Sequence, residues 1–196
     1  MTYTAKDYSF LKGKVKGLSD KQLDAHFGLY QGYVKKWNEI QGKLATQDKS
    51  AANYSYGEFS ELKRREAVAF NGTFLHELYF ENLESKGSSS KELKKAVENA
   101  FGSWDNFVAD IKASASSTPG WVLVTWNKKT EKLHTFILFE HHIGLPAHQE
   151  IILCLDCWEH AFMIDYGTDK ASYLKVFLEN INWDVVNKRF QDIKNK

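Results

Sequence analysis

From Ser19 onward the chain places Leu23, Phe27, Tyr30, Val34 and Trp37 at helical spacing behind a capping Ser19 or Asp20, which predicts a long amphipathic helix. The polar stretch QDKSAANYSYGEFS leads to a second helical pattern, from about Ser60 through Phe70 to Phe80 and Leu83. The first half of the chain is therefore predicted to be a helical hairpin. ESKGSSS, residues 84–90, is the strongest linker signal, because glycine and serine punctuate it between two periodic segments. The expected division is an N-terminal helical hairpin domain, residues 1–87, and a C-terminal α/β domain, residues 88–196.

Beyond the linker, KELKKAVENAFGSWDNFVADIKASASS predicts two short helices separated at Gly102 and Ser103. Three strand-like runs follow, over residues 121–126, 132–142 and 150–158, with NKKT and GLPAHQ as the turns between them. From Glu159 the pattern returns to helix and closes with SYLKVFLENINWDVVNKRFQDI. Helices, a three-stranded antiparallel sheet and helices again make an α+β fold.

Composition narrows the class of molecule without naming a chemistry. A chain of 196 residues with 14% aromatic residues and two prolines buries a sizeable core without needing disulfides. Its 26 Lys and Arg against 25 Asp and Glu leave a formal charge of +1, so no overall field favours nucleic acid or an anionic membrane, and charge steering must be local. No apolar run is long enough to span a bilayer, and the lysine-interrupted N-terminus lacks the apolar core of a secretory signal. A cytoplasmic protein is expected.

The informative polar residues sit inside apolar segments. His26 interrupts the first long helix, His76 the second, and Asp156 ends the run IILCLD with His160 four residues on. Taken singly, each has a plain structural explanation: a hydrogen-bonded core histidine, or an aspartate capping the helix that WEHAF begins. Together, three imidazoles and one carboxylate make a site suited to iron or manganese as well as zinc. Cys154 and Cys157 form a Cys-x-x-Cys, but no second pair exists for zinc and no βαβ context supports a thioredoxin-like motif. They are expected to be buried structural thiols, with Cys154 on the same strand face as Asp156.

At these residues the chain resembles the iron/manganese superoxide dismutases. DCWEHAFMIDY resembles the family signature, and FLHELYFENL and HFGLYQGYV resemble the segments that bear its other two histidines. AFGSWDNF, GWVLV and SYLKVFLENINWDVV match in order, so the likeness covers nearly the whole chain. It implies one iron or manganese ion per subunit, held by His26, His76, Asp156 and His160, that cycles between +3 and +2 and converts superoxide to O2 and H2O2. It further implies Tyr33 as the aromatic at the substrate funnel and Trp158 as an apolar wall. A homodimer is implied too, with Glu159 of one subunit reaching His160 of the other. The alternatives are a protein of this fold that binds metal without turnover, a thiol oxidoreductase using Cys154 and Cys157, and a zinc hydrolase.

Several positions depart from the family pattern. The residue that bonds the solvent on the metal is commonly a glutamine, either four residues before the second histidine or from the sheet. Gly72 stands at the first position, and a gapless count from Asp156 puts His141 at the second, with His142 as the neighbour a one-residue shift would exchange for it. The interval from His26 to Tyr33 is one residue shorter than usual, so a bulge common in that helix is absent or moved. Tyr30 and Met163 stand where a histidine and a tyrosine usually meet across the dimer, Phe80 and Leu123 where tryptophans usually wall the site, and Lys170 where an arginine usually attracts the anion.

Overall fold

The computed structural model describes residues 2–195. After a 3-10 turn, Ser9–Leu11, the helices α1 (Asp20–Thr46) and α2 (Glu58–Glu81) pack along one another. Short helices α3 (Lys91–Phe101) and α4 (Trp104–Ser116) precede strands β1 (Trp121–Asn127), β2 (Lys132–Leu138) and β3 (Glu150–Asp156). A 3-10 turn, Glu159–Ala161, then leads into α5 (Met163–Tyr166), α6 (Lys170–Glu179) and α7 (Trp183–Lys194). The fold is α+β, as the hydrophobic pattern predicts.

Local chemistry sets the element ends. Ser19 accepts from the Gln22 N–H at the start of α1, and Ser90, Ser103, Asp169 and Asn182 cap α3, α4, α6 and α7 in the same way. Gly102, at φ 82°, ends α3 and lets the chain turn straight into α4. The closing helical stretch divides into α6 and α7. Asn180 caps α6 at its end by donating to the Lys16 and Val176 carbonyls, and Asn182 opens α7.

The sheet has the order β2-β1-β3, both pairs antiparallel, with the almost wholly buried β1 in the centre. Trp121 pairs with Leu138 on one side and with Asp156 on the other. Two strands are shorter than predicted. β2 stops at Leu138 rather than residue 142, and β3 stops at Asp156 rather than residue 158. His141 and His142 therefore lie in a bend, not on a strand, and strand alternation does not separate them. Burial does: His141 is buried and His142 exposed.

Candidate metal centre

Four separate stretches of chain deliver four donors to one point. His26 comes from α1, His76 from α2, Asp156 from the last position of β3 and His160 from the 3-10 turn after it. One ligand atom from each lies within 4.8 Å of all the others. The Nε2 atoms of His26, His160 and His76 stand 3.1, 3.2 and 3.6 Å from Asp156 Oδ2, and His76 and His160 face each other Nε2 to Nε2 at 3.4 Å. His26, His76 and Asp156 are buried, while the His160 side chain is 29% exposed.

The protonation pattern suits a cation. Burial alone would raise the Asp156 carboxyl, but His160 and His26 outweigh it and hold it far below the usual range, so it is ionised. Burial lowers His26 against the pull of Asp156, and burial with the neighbouring His26 lowers His76 still further, so both are neutral imidazoles. The His76 Nδ1–H donates to the Gly72 carbonyl, which puts the lone pair on Nε2, facing the cluster. A buried carboxylate beside two neutral imidazoles is a donor set that fits a resident iron or manganese ion.

A second layer holds these donors in place. The Trp158 N–H donates to Asp156 Oδ1 at 2.9 Å, and the Tyr173 hydroxyl donates to the Asp156 carbonyl at 2.7 Å. Gln22 donates to the His160 carbonyl at 2.6 Å and accepts from the Ile164 N–H at 3.0 Å, tying α1 to the 3-10 turn. The Cys154 thiol points at the Leu75 carbonyl, 3.6 Å away and one residue before His76. Both cysteines are free and buried, and burial pushes both thiols up.

Helix α1 is α-helical throughout, so Tyr33, seven residues past His26, returns to within about 20° of the same face. Its ring stacks against His76 at 5.4 Å and packs edge-on against His141 at 4.7 Å. Its hydroxyl lies 2.6 Å from His141 Nε2, while His141 Nδ1 accepts the Trp121 indole N–H at 2.9 Å. Trp121, paired in the sheet with Asp156, also packs edge-on to His76 at 5.0 Å. Sequence reasoning did not single out Trp121. The available signal was a tryptophan opening an apolar strand, since a buried indole N–H needs an acceptor. Phe80 packs 4.8 Å from His26, and Trp158 stacks on His160 at 6.3 Å, so both wall the cluster.

Tyr30 is held within its own chain. It is wholly buried, and its hydroxyl donates to Glu77 at 2.8 Å and accepts the Lys6 N–H at 2.9 Å. Four residues past His26, Tyr30 stays within about 40° of the same inward side of α1, where Lys6 and Tyr8 cover it. Lys170 donates to the Thr118 carbonyl at 2.7 Å, so its ammonium is engaged by the fold.

Against known proteins, the family model described as iron/manganese superoxide dismutases, C-terminal domain, matches residues 89–189. The chain is 39% identical to the superoxide dismutase [Fe] of Aquifex pyrophilus, across 90% of this chain and 86% of that one. The chain belongs to the iron/manganese superoxide dismutases. It is also 34% identical to the superoxide dismutase [Fe] of Cupriavidus metallidurans across 97% of both chains. It is 31% identical to the superoxide dismutase [Mn/Fe] of Propionibacterium freudenreichii subsp. shermanii, across 96% of this chain and 94% of that one. All four clustered donors are thus carried by a chain of this family, two of them within the matched C-terminal segment.

Proposed function

We propose that this protein is a superoxide dismutase whose iron or manganese ion is held by His26, His76, Asp156 and His160. The convergence of those four side chains within 4.8 Å is the observation that carries it. When bound, the ion supplies reversible one-electron chemistry between +3 and +2, by which two superoxide anions and two protons become O2 and H2O2.

The protein's own part is to hold donors, exclude water and handle protons. His141 accepts from Trp121 at Nδ1, so its single proton sits on Nε2 and is given to the Tyr33 oxygen. Burial pushes His141 down to about 4, which keeps this tautomer neutral through the physiological range. The Tyr33 hydroxyl proton is thereby left free to donate to the anion, while the His141 Nε2–H bond steadies the oxygen left behind until solvent returns a proton to it. His141 rather than His142 is the residue we assign to the solvent at the site, which it would reach through the Tyr33 hydroxyl, since Trp121 and Tyr33 occupy its two ring nitrogens. Phe80, Trp121 and Trp158 keep the surroundings dry.

We further read the working form as a homodimer and each chain as two domains dividing between residues 87 and 88. The partly exposed His160, whose Nδ1 no described residue bonds, lies beside exposed Glu159 and the exposed apolar pair Met163 and Ile164. A Glu159 carboxylate from a second copy would complete His160. Among the described residues no helix is long and apolar enough to cross a membrane.

The deciding experiment strips the metal, reloads separate samples with iron, manganese or zinc, measures occupancy and assays superoxide consumption. Turnover with iron or manganese and none with zinc is expected. Full occupancy without turnover for any metal would remove the dismutase reading.

A further inference from the structure

Tyr33 is also a wall of a cleft of about 740 Å³ between α1 and α2, lined on one side by Lys36, Ile40 and Lys43 and on the other by Leu62, Arg65 and Val68. We propose that this cleft is the route by which superoxide reaches Tyr33, and that Arg65 is the cation that draws the anion in. The inference rests on the dismutase function and assigns a steering residue to it.

Charge accounting within the cleft singles out Arg65. Lys36 and Lys43 both bind Glu39, at 2.5 and 2.8 Å, and Glu61 pairs with Arg64. Arg65 is exposed and has no ion-pair partner among the described residues. Glu58, beside Gln47, is the lining carboxylate without a cation, and it sits seven residues away along α2, about 10 Å from Arg65. At the inner end the cleft is walled by Tyr33, whose ring stacks on His76. Lys170, the other candidate, is turned onto the Thr118 carbonyl. With a net charge of +1, the molecule has no broad field to do this work instead.

A small monoanion steered by one exposed cation arrives faster at low salt, and the gain fades as the Debye length shrinks. The test uses the metal-loaded protein and the variants Arg65→Gln, Arg65→Glu and Lys129→Glu. Lys129→Glu reproduces the charge change in the β1–β2 turn, at the far end of β1 from Trp121. Steady-state kcat/KM is measured from about 10 to about 200 mM ionic strength, and azide affinity is measured by optical titration of the iron form. Arg65→Gln is expected to lower kcat/KM about threefold at low salt and to weaken azide binding, Arg65→Glu to do more, and the gap to close at high salt. Lys129→Glu should match the parent. Equal effects of Arg65→Glu and Lys129→Glu, or a gap that persists at high salt, would overturn the proposal. If the parent holoenzyme shows no turnover, the dismutase function fails, while the azide titration still decides whether Arg65 draws anions to the site.

Discussion

Gly72 lies so close beneath the ring of Tyr33 that a Cβ at residue 72 would stand 2.5 Å from Tyr33 Cδ1 and 2.7 Å from Cγ. The clash is with the root of the ring, which the helix holds, so it cannot be relieved by swinging a free end. Gly72→Ala should therefore destabilise the protein, because overpacking of about 1–3 kcal/mol outweighs the helix-propensity gain of about 1 kcal/mol. In a Tyr33→Ala background the same change should become neutral or stabilising. Urea unfolding of the four proteins measures that coupling, and additive effects would refute the contact.

The bond from Trp121 to His141 selects a tautomer. Trp121→Phe leaves the buried Nδ1 acceptor unpaired, at a cost of about 1–3 kcal/mol, and frees the proton to occupy either nitrogen. Nitrogen-15 NMR of the His141 ring in the metal-free protein should show one tautomer in the parent and a mixture in the variant. A parent ring protonated at Nδ1 would invalidate the proton path through Tyr33.

Arg189 ties α7 to α2 and β3. Its guanidinium donates to Asn82 Oδ1 at 2.6 Å, Glu81 Oε2 at 2.8 Å, Leu78 O at 3.2 Å and Ile152 O at 3.3 Å. Arg189→Met should cost about 2–4 kcal/mol, less than a fully buried pair, because Glu81 is 34% exposed and keeps Lys6. Chemical denaturation reads this directly.

The same cluster sets an acid limit on stability. Burial would raise Glu81, but Arg189 and Lys6 outweigh it, so its folded pKa is lowered. A depressed carboxylate contributes stability that is complete above the unfolded value, about 4.3, and is lost as pH falls through the folded value. Glu81→Gln should lower stability at neutral pH and flatten its decline on acidification. Unfolding midpoints compared at neutral pH and below about pH 4 test the sign; an unchanged slope would exclude Glu81.

Metal loading should raise the melting temperature, since an ion that binds only the folded cluster stabilises it by mass action. Iron, manganese and zinc are all expected to do so, because stability depends on the donor set rather than on turnover. His76→Gln should abolish most of the rise. A thermal shift that survives this change would place the ion elsewhere.

The unequal legibility of these features has physical causes. The four donors could be named from the chain because the segments around them resemble the family's, polar residues within or ending apolar runs having first marked them, and the element order followed from periodicity and capping residues. Burial of Tyr30 was also written there, as part of the helical stripe with Leu23, Phe27 and Val34, although family position suggested a subunit contact. The choice of His141 over His142 rested on the gapless count from Asp156 alone, since both follow the end of β2 and no alternation applies.

What the sequence determined by itself was therefore the α+β order, the family and the identity of the four donors, all carried by local pattern and motif. Only the tertiary structure decided which histidine turns inward, that Trp121 orients it, that Gly72 makes room for Tyr33, that Lys170 is engaged while Arg65 has no ion-pair partner among the described residues, and that Arg189 joins three elements. Each of those depends on atoms brought within about 3 Å from positions far apart in the chain, and such proximity is a product of packing that no local spacing encodes.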